Sequence, residues 1–514
     1  MTTFPWLTVL AVLPLIGALA LVFIKGALAR TVGLAFALLT LLVSVILAIG
    51  FDPGAGMQFV EQQSWIPAIG ASYSLGVDGM GLLMVLLTAI LVPVVMVATW
   101  DDPDTNGGRW SSQAFFGLTL LLEGLALYVF MATDVLLFYL FFEATLIPMY
   151  FLIGGFGTGR RSGAALKFLV FSLAGGLVML VSVIGIYAVT AGLGNPTYSL
   201  EALQGAAAGG LFDSPLGKWL FAGFFIAFAI KAPMVPVHTW LADAAEEASP
   251  GAATLMVAVL DKIGTFGMLR FALGLFPEAS LWATPLVLVL ALVSIVYGAV
   301  AAIGQRNLMR FVAFTSVSHF GLMVMGIFAL TSTGIAGSVF YMFNHGLSTA
   351  ALFLVVGYLV KRRGSADIAA FGGVQKVAPV MAGFLLVSGL SALGLPGMSS
   401  FVSEFMVLAG TFASNPWFAA LGASALLLSA LYVMNVYQRT MTGPVTDQVA
   451  RTVHSDLGMR ERLAVVPLIA IILVLGFFPG PALQLAEPVG ADAVAALQTQ
   501  GVADPQPQIS EGQN

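Results

Sequence analysis

Residues 220–241 read LFAGFFIAFAIKAPMVPVHTWL. An apolar run opens the stretch, a lysine interrupts it at position 231, and Pro233, Pro236 and His238 follow at once. Proline lacks the backbone donor and clashes with the preceding turn, so a helix cannot pass through KAPMVP unbroken. A lysine and an interrupted helix are tolerable in such apolar surroundings only where other protein or a wet cavity encloses them. The stretch therefore predicts a discontinuous membrane helix with an ionisable group at its opening.

The rest of the chain fits that setting. Of its 514 residues, 59% are hydrophobic and 9% charged, and the mean hydropathy is +0.99, far outside the range of soluble domains. Apolar runs of about 20 residues, enough to cross the bilayer core, alternate with short polar breaks. They place fourteen spans, near 5–24, 28–50, 79–100, 113–131, 133–153, 163–190, 217–245, 251–275, 281–303, 308–330, 336–360, 381–413, 416–439 and 463–480. GLPG (394–397), with Pro396, breaks span twelve as KAPMVP breaks span seven. The expected fold is an all-α integral membrane protein of about fourteen helices. It contains two five-helix repeats, spans 4–8 and 9–13, each broken in its fourth span. An odd number of spans per repeat makes the two enter the membrane from opposite sides, the inverted arrangement of transporters whose ion sites lie near the midplane. The segments are 1–112, with an outward-facing loop 51–78; the repeats 113–275 and 281–439; and 440–514, comprising a cytoplasmic loop, a last span and a polar outward-facing tail.

Sixteen of the 20 Lys and Arg residues, from Lys25 and Arg30 through Arg109 to Arg460 and Arg462, fall in loops after odd-numbered spans. Lys218 and Arg270 lie on the other side, and Lys231 and Lys262 within spans. By the positive-inside rule the odd-span loops are cytoplasmic and both termini face outward. Lys25 and Arg30 follow the first apolar run instead of preceding it, which reads as a retained span and not a cleaved leader. The net charge of −5 over so long a chain carries little, and nothing points to nucleic acid. The absence of cysteine excludes disulfides, thiolate metal sites and Cys-ligated iron–sulfur clusters. There is no Walker A pattern, and the four histidines have no metal-type spacing. Protons or small cations remain as cargo, and no metal or cofactor site is expected in this chain.

Ionisable residues within the spans are few: Glu123, Glu143, Lys231, His238, Asp261, Lys262, His319, His345 and Glu404. Each costs at least ~2.5 kcal/mol facing lipid at the bilayer centre, so they face inward. Glu123, Glu143, Lys231, Lys262, His319 and Glu404 fall near mid-span and share a plane. A plane of acids, lysines and histidines suits a lateral proton relay, because burial and charged neighbours can bring all three types to exchange protons near neutrality. A carboxylate about 4 Å from a lysine contributes ~4 kcal/mol at an effective dielectric of 20. Moving a proton against 100 mV costs about 2.3 kcal/mol. Separating Glu143 from Lys231 could thus drive a proton against a physiological gradient. The opposing reading is a static ion pair that fixes packing. Glu123 and His238 stay open between relay and packing. Asp261 reads as a packing residue, and Arg270, Asp243, Glu246 and Glu247 as solvated helix ends.

Six segments, WIPAIGASYSLGVDG (65–79), VPVHTWLADA (235–244), LDKIGTFGMLRF (260–271), SVSHFGLMVMGIF (316–328), FNHGLSTAALFLVVGYL (343–359) and GLPGMSSFVSEF (394–405), resemble the antiporter-like subunits of proton-pumping NADH:quinone oxidoreductase, respiratory complex I. The resemblance runs from about residue 65 to 440 in the family's order. Glu404 stands where the L-type and N-type branches have lysine, so the chain is most similar to the M-type branch. The resemblance implies that Glu143 and Lys231 form the coupling pair, that Lys262 is the central relay group, with His319 and His345 at the family's histidine positions, and that Glu404 lies towards the outward exit. It also implies neighbouring L-type and N-type subunits in the same bilayer, with NADH, flavin, iron–sulfur and quinone chemistry in partner subunits. The segment ADAAEEASP (242–250) is more acidic than the family pattern. The rival readings are a subunit of a multisubunit sodium/proton antiporter and a static membrane scaffold.

Overall fold

The computed structural model describes residues 4–102, 110–498, 501 and 504. Arg109 and most of the expected tail lie outside the described residues. Among the described residues eleven helices are long and apolar enough to cross a bilayer, or twelve if one bent pair is counted as a single span. The eleven correspond to expected spans one to six, eight to eleven, and thirteen. The expected count of fourteen is therefore not reached by continuous helices: span fourteen falls in the bent pair, and spans seven and twelve are divided at the two proline breaks. Span seven is divided into Pro215–Lys231 and Thr239–Glu247, and span twelve into Pro379–Ala392 and Ser399–Ser414. Each piece is shorter than the ~20 residues a crossing helix needs.

Local chemistry sets many of the ends. Pro215, Pro250, Pro277, Pro379 and Pro416 each open a helix, where the missing N–H is no loss. Ser214, Ser249 and Asp78 accept hydrogen bonds from first-turn amides of the helices they precede.

Two departures from the sequence reading lie on one side of the molecule. Loop 51–78 is not featureless: Gln58–Ile66 and Ala71–Val77 form an antiparallel hairpin, turned at Gly70, whose φ of 69° suits glycine. Glu61 on this hairpin accepts hydrogen bonds from the amide of Leu7 at 2.6 Å and the hydroxyl of Thr8 at 2.5 Å, satisfying donors at the start of span one. The segment after span fourteen is also more than a polar tail. Met459–Phe477 bends by 70° into a second helix, Gly480–Gln498, which packs where Gly79 approaches Leu485 and Gly490 approaches Ser332. Its apolar residues Ala482, Ala486, Val494 and Leu497 are buried beneath it.

Contacts between loops sort into two sets. Loops after odd spans are tied by Arg30–Asp101, Arg460–Asp101, Lys361–Asp102 and Arg362–Glu461. Loops after even spans are tied through the hairpin, by Leu75 with Ala132 and Asp134 with Ser199. The first five-span block thus starts from the basic side and the second from the hairpin side. The apolar centres of spans eight, ten and eleven are wholly enclosed, whereas only a third of those of spans one, two and thirteen is buried. The enclosed helices carry Lys262, His319 and His345. Lipid is as apolar as leucine, so close packing of small residues must bring such helices together. Gly298 and Gly321 do so between spans nine and ten, each leaving no room for a Cβ against the other helix.

Candidate functional site

Lys231 is the last residue of the first half of span seven. The groups freed by the break find partners elsewhere: Trp240 Nε1 donates to the carbonyl of Ile230 at 3.0 Å, and the amide of Val235 donates to Ser294 Oγ at 3.0 Å. The ammonium finds none. Lys231 is 1% exposed, its Nζ has no hydrogen-bond partner, and it sits 5.4 and 5.6 Å from the ring centres of Phe142 and Phe168. Glu143 Oε1 is likewise unpartnered. The expected coupling pair is thus near enough to interact electrostatically but is not hydrogen-bonded. The Glu143 carboxylate lies in a notch made by Gly176 of span six, where an added Cβ would fall 1.6 Å from Oε1.

Span eight is irregular: wide π turns at Met256–Leu260 and Met268–Leu273 flank a short α segment, Lys262–Gly267. Such turns gather at functional sites. Lys262 is fully buried; its Nζ donates to the carbonyl of Val257 at 3.0 Å, lies 2.8 Å from His345 Nδ1 and 4.5 Å from the ring centre of Phe320.

Beyond Lys262 further buried polar groups follow. The His345 and His319 ring centres are 5.1 Å apart, His319 Nε2 is 3.0 Å from Tyr432 Oη, and Thr349 holds His345 Nε2 at 3.1 Å. Tyr341, 6.1 Å from His345 ring to ring, donates its hydroxyl to Glu404 Oε1 at 2.6 Å. Asn344 Nδ2 donates to the carbonyl of Ser399 and to Ser403 Oγ, tying span eleven to the far half of span twelve. Tyr341, Asn344 and Tyr432 were missed in the sequence. The signal for the first two was present, because Tyr341, Asn344 and His345 stand at helical spacing on one face.

The remaining candidates are placed differently. Glu123 is 1% exposed with both oxygens unpartnered, but no charged group of the cluster acts on it. His238 is buried against Tyr297 and Phe314, with Nδ1 unpartnered. Asp261 is not a satisfied packing residue: it is fully buried and both carboxylate oxygens lack a hydrogen-bond partner. The supposed solvated helix ends are mostly paired. Arg270 binds Asp78 at 2.5 Å with side chains only 11% and 15% exposed. Asp243 bridges Lys167 and Arg310, and Glu246 also binds Arg310. These last groups, with Arg160 and Glu247, line a cleft of about 430 Å³ on the basic side. Among the described residues no group of three His, Asp or Glu side chains could hold a metal ion.

Two helix blocks, each with a broken fourth span, a buried lysine at one break and a carboxylate at the other, give the chain the architecture of an antiporter-like membrane subunit. A sequence profile described as NADH:quinone oxidoreductase/Mrp antiporter, TM, matches residues 132–429. The chain is 47% identical to NADH-quinone oxidoreductase subunit M of Mycobacterium tuberculosis, covering 99% of this chain and 97% of that one. It is 35% identical to NADH-ubiquinone oxidoreductase chain 4 of Arabidopsis thaliana, covering 91% and 92%. Among solved structures it is similar to a chain of respiratory complex I from Thermus thermophilus, with TM-score 0.85, 32% identity, and 96% and 100% coverage. A chain of the Mrp complex from Dietzia sp. shares the fold at TM-score 0.84 and 21% identity, with 97% and 99% coverage. The chain belongs to the subunit M family of NADH-quinone oxidoreductase, the proton-translocating membrane subunits of respiratory complex I.

Proposed function

We propose that this subunit takes up protons on the cytoplasmic side and releases them outward through two half-channels joined by Lys231, Lys262, His345, His319 and Glu404, with Glu143 setting the charge state of Lys231. The chain acts as part of a translocase and carries no redox centre; NADH, flavin, iron–sulfur and quinone chemistry resides in partner subunits. Its neighbours are L-type and N-type antiporter-like subunits in the energy-coupling inner membrane, with both termini outward. The two five-helix blocks act as the inverted repeats that house the half-channels, and the N-terminal three helices and residues 440–514 frame them.

The observation that carries this reading is the buried Lys231 ammonium without a hydrogen-bond partner. An ion pair kept only for packing is stable when its partners meet, because an uncompensated buried charge costs several kcal/mol. A separated pair suits a group whose proton comes and goes. Intake through the charged cleft near His238 gives Lys231 a route to the basic side, and the Tyr341–Glu404 contact stands at the release end. The chemistry asked of the chain is proton binding and transfer alone. An applied 100 mV costs each proton about 2.3 kcal/mol, within the ~4 kcal/mol that a close carboxylate–lysine contact can supply.

The test is NADH-driven acidification of inverted membrane vesicles carrying Lys231→Ala. The expected result is an assembled complex whose proton uptake per NADH oxidised is lowered; wild-type uptake would sink the relay. Sodium dependence of transport separates the reading from a sodium/proton antiporter, for which the shared Mrp fold is the relevant observation.

A further inference from the structure

The first step of the proposed relay, from Lys231 to Lys262, is unbridged. Lys231 opens towards the first repeat, whereas the Lys262 ammonium is engaged with Val257 and His345 on the other face of span eight. Asp261 precedes Lys262 directly in the chain. It is fully buried, its two carboxylate oxygens accept no hydrogen bond, and both lysines act on it electrostatically. Gly264 fixes its direction. A Cβ on Gly264 would fall 2.4 Å from the amide nitrogen of Ala232 and 2.7 Å from the carbonyl of Phe228, so this face of span eight abuts the break of span seven. Asp261 is three residues earlier on the same face, and Lys262, about 100° round the helix, points to His345 instead.

A carboxylate kept for structure looks different in this chain. Asp134 is equally buried, and it accepts from the amides of Ser72, Leu136 and Leu137 and from the hydroxyl of Ser72. Asp261 has none of this support and stands between two π turns, which free its helix from regular spacing.

We propose that Asp261 is the proton carrier linking Lys231 to Lys262, an inference that rests on the relay reading above. The Lys231 ammonium gives a proton to the Asp261 carboxylate, leaving a neutral amine and a neutral carboxyl. Once Lys262 has passed its own proton to His345, Asp261 gives the proton to the Lys262 amine, restoring carboxylate and ammonium. Charge and atoms balance at each transfer. No hydrogen bond joins Asp261 to either lysine in this conformation, so each transfer requires the flexible four-carbon lysine stem to swing. The charged groups facing Asp261 are these two lysines, and Glu143 acts through Lys231.

The test compares Asp261→Asn, Asp261→Glu and Lys231→Ala in assembled complex in inverted vesicles, following NADH oxidation and proton uptake together. Asp261→Asn is expected to lower proton uptake at least tenfold, while Asp261→Glu recovers most of it with a displaced pH profile. Wild-type uptake per NADH in assembled Asp261→Asn overturns the proposal. In that event an impaired Lys231→Ala leaves the wider relay standing, and an unimpaired one removes the relay too. Should Asp261→Asn fail to assemble, Asp261→Glu decides: a displaced pH profile supports the carrier, and a wild-type yield with a wild-type profile overturns it.

Discussion

Gly176→Ala probes how Glu143 is held. The new Cβ would fall 1.6 Å from Glu143 Oε1 and 2.4 Å from its Cδ, whereas ordinary contact begins at 3.4 Å, so the carboxylate must shift by about 1.8 Å. The obstructing atoms are the end of a flexible side chain, and the fold should tolerate the change within the ~1–3 kcal/mol of an overpacked site. The electrostatic effect is separate. For charges about 6 Å apart, the outer limit at which an opposite charge acts strongly, the interaction at an effective dielectric of 20 is ~2.8 kcal/mol. It falls to ~2.1 kcal/mol when the carboxylate recedes by that distance. A change of about 0.6 kcal/mol is roughly threefold in the proton equilibrium of Lys231. NADH-driven proton uptake in inverted vesicles should slow about threefold with the amount of assembled complex unchanged. Glu143→Asp, one methylene shorter, should restore part of it in the Gly176→Ala background, a coupling that a double-mutant cycle measures. Wild-type uptake in Gly176→Ala, or strictly additive losses in the double variant, would refute the reasoning.

Three further outcomes follow from contacts in the second half of the chain and at the hairpin side. Tyr341→Phe removes the hydroxyl that donates to Glu404 at 2.6 Å; a hydrogen bond to a charged group contributes about 1.5–3 kcal/mol, so stopped-flow proton release should slow tenfold or more while Tyr432→Phe, which leaves Glu404 bonded, slows it less. Gly394→Ala places a Cβ 2.0 Å from Glu404 Oε2 at a φ of +72°, and both the left-handed backbone and the clash should reduce assembled complex on native gels, by more than Gly383→Ala, whose Cβ meets open space. Arg270→Ala leaves Asp78 without its cation; loss of one partner of a largely buried pair costs about 3–5 kcal/mol, and thermal stability of the complex should fall while Arg270→Lys recovers part of it.

Much of this was legible in the chain. Lys231 beside Pro233 and Pro236, and Glu404 after Pro396, gave the broken spans because proline acts locally. The burial of Glu123, Lys231, Lys262, His319 and Glu404 followed from their place within apolar spans, since lipid penalises charge there. What escaped depends on long-range packing. Asp261 could not be told from a packing residue without knowing that no amide or hydroxyl reaches it, and the π turns beside it have no local sequence mark. The Arg270–Asp78 pair joins residues 192 positions apart. The hairpin was missed because residues 51–78, lying between two apolar spans, were read as a loop, although SYSLGV alternates as a strand does. The helix Gly480–Gln498 was hidden by Pro488 and by the polar residues beyond it.

The account turns on the proposal that Lys262 takes protons arriving from Lys231 and passes them through its 2.8 Å contact to His345. The most direct measurement is the number of protons moved per NADH oxidised by complex reconstituted in liposomes with Lys262→Met, a substitution that keeps the stem and removes the exchangeable proton. The account predicts an assembled, NADH-oxidising complex whose proton yield falls below wild type at every imposed potential. An unchanged yield in that variant would contradict it.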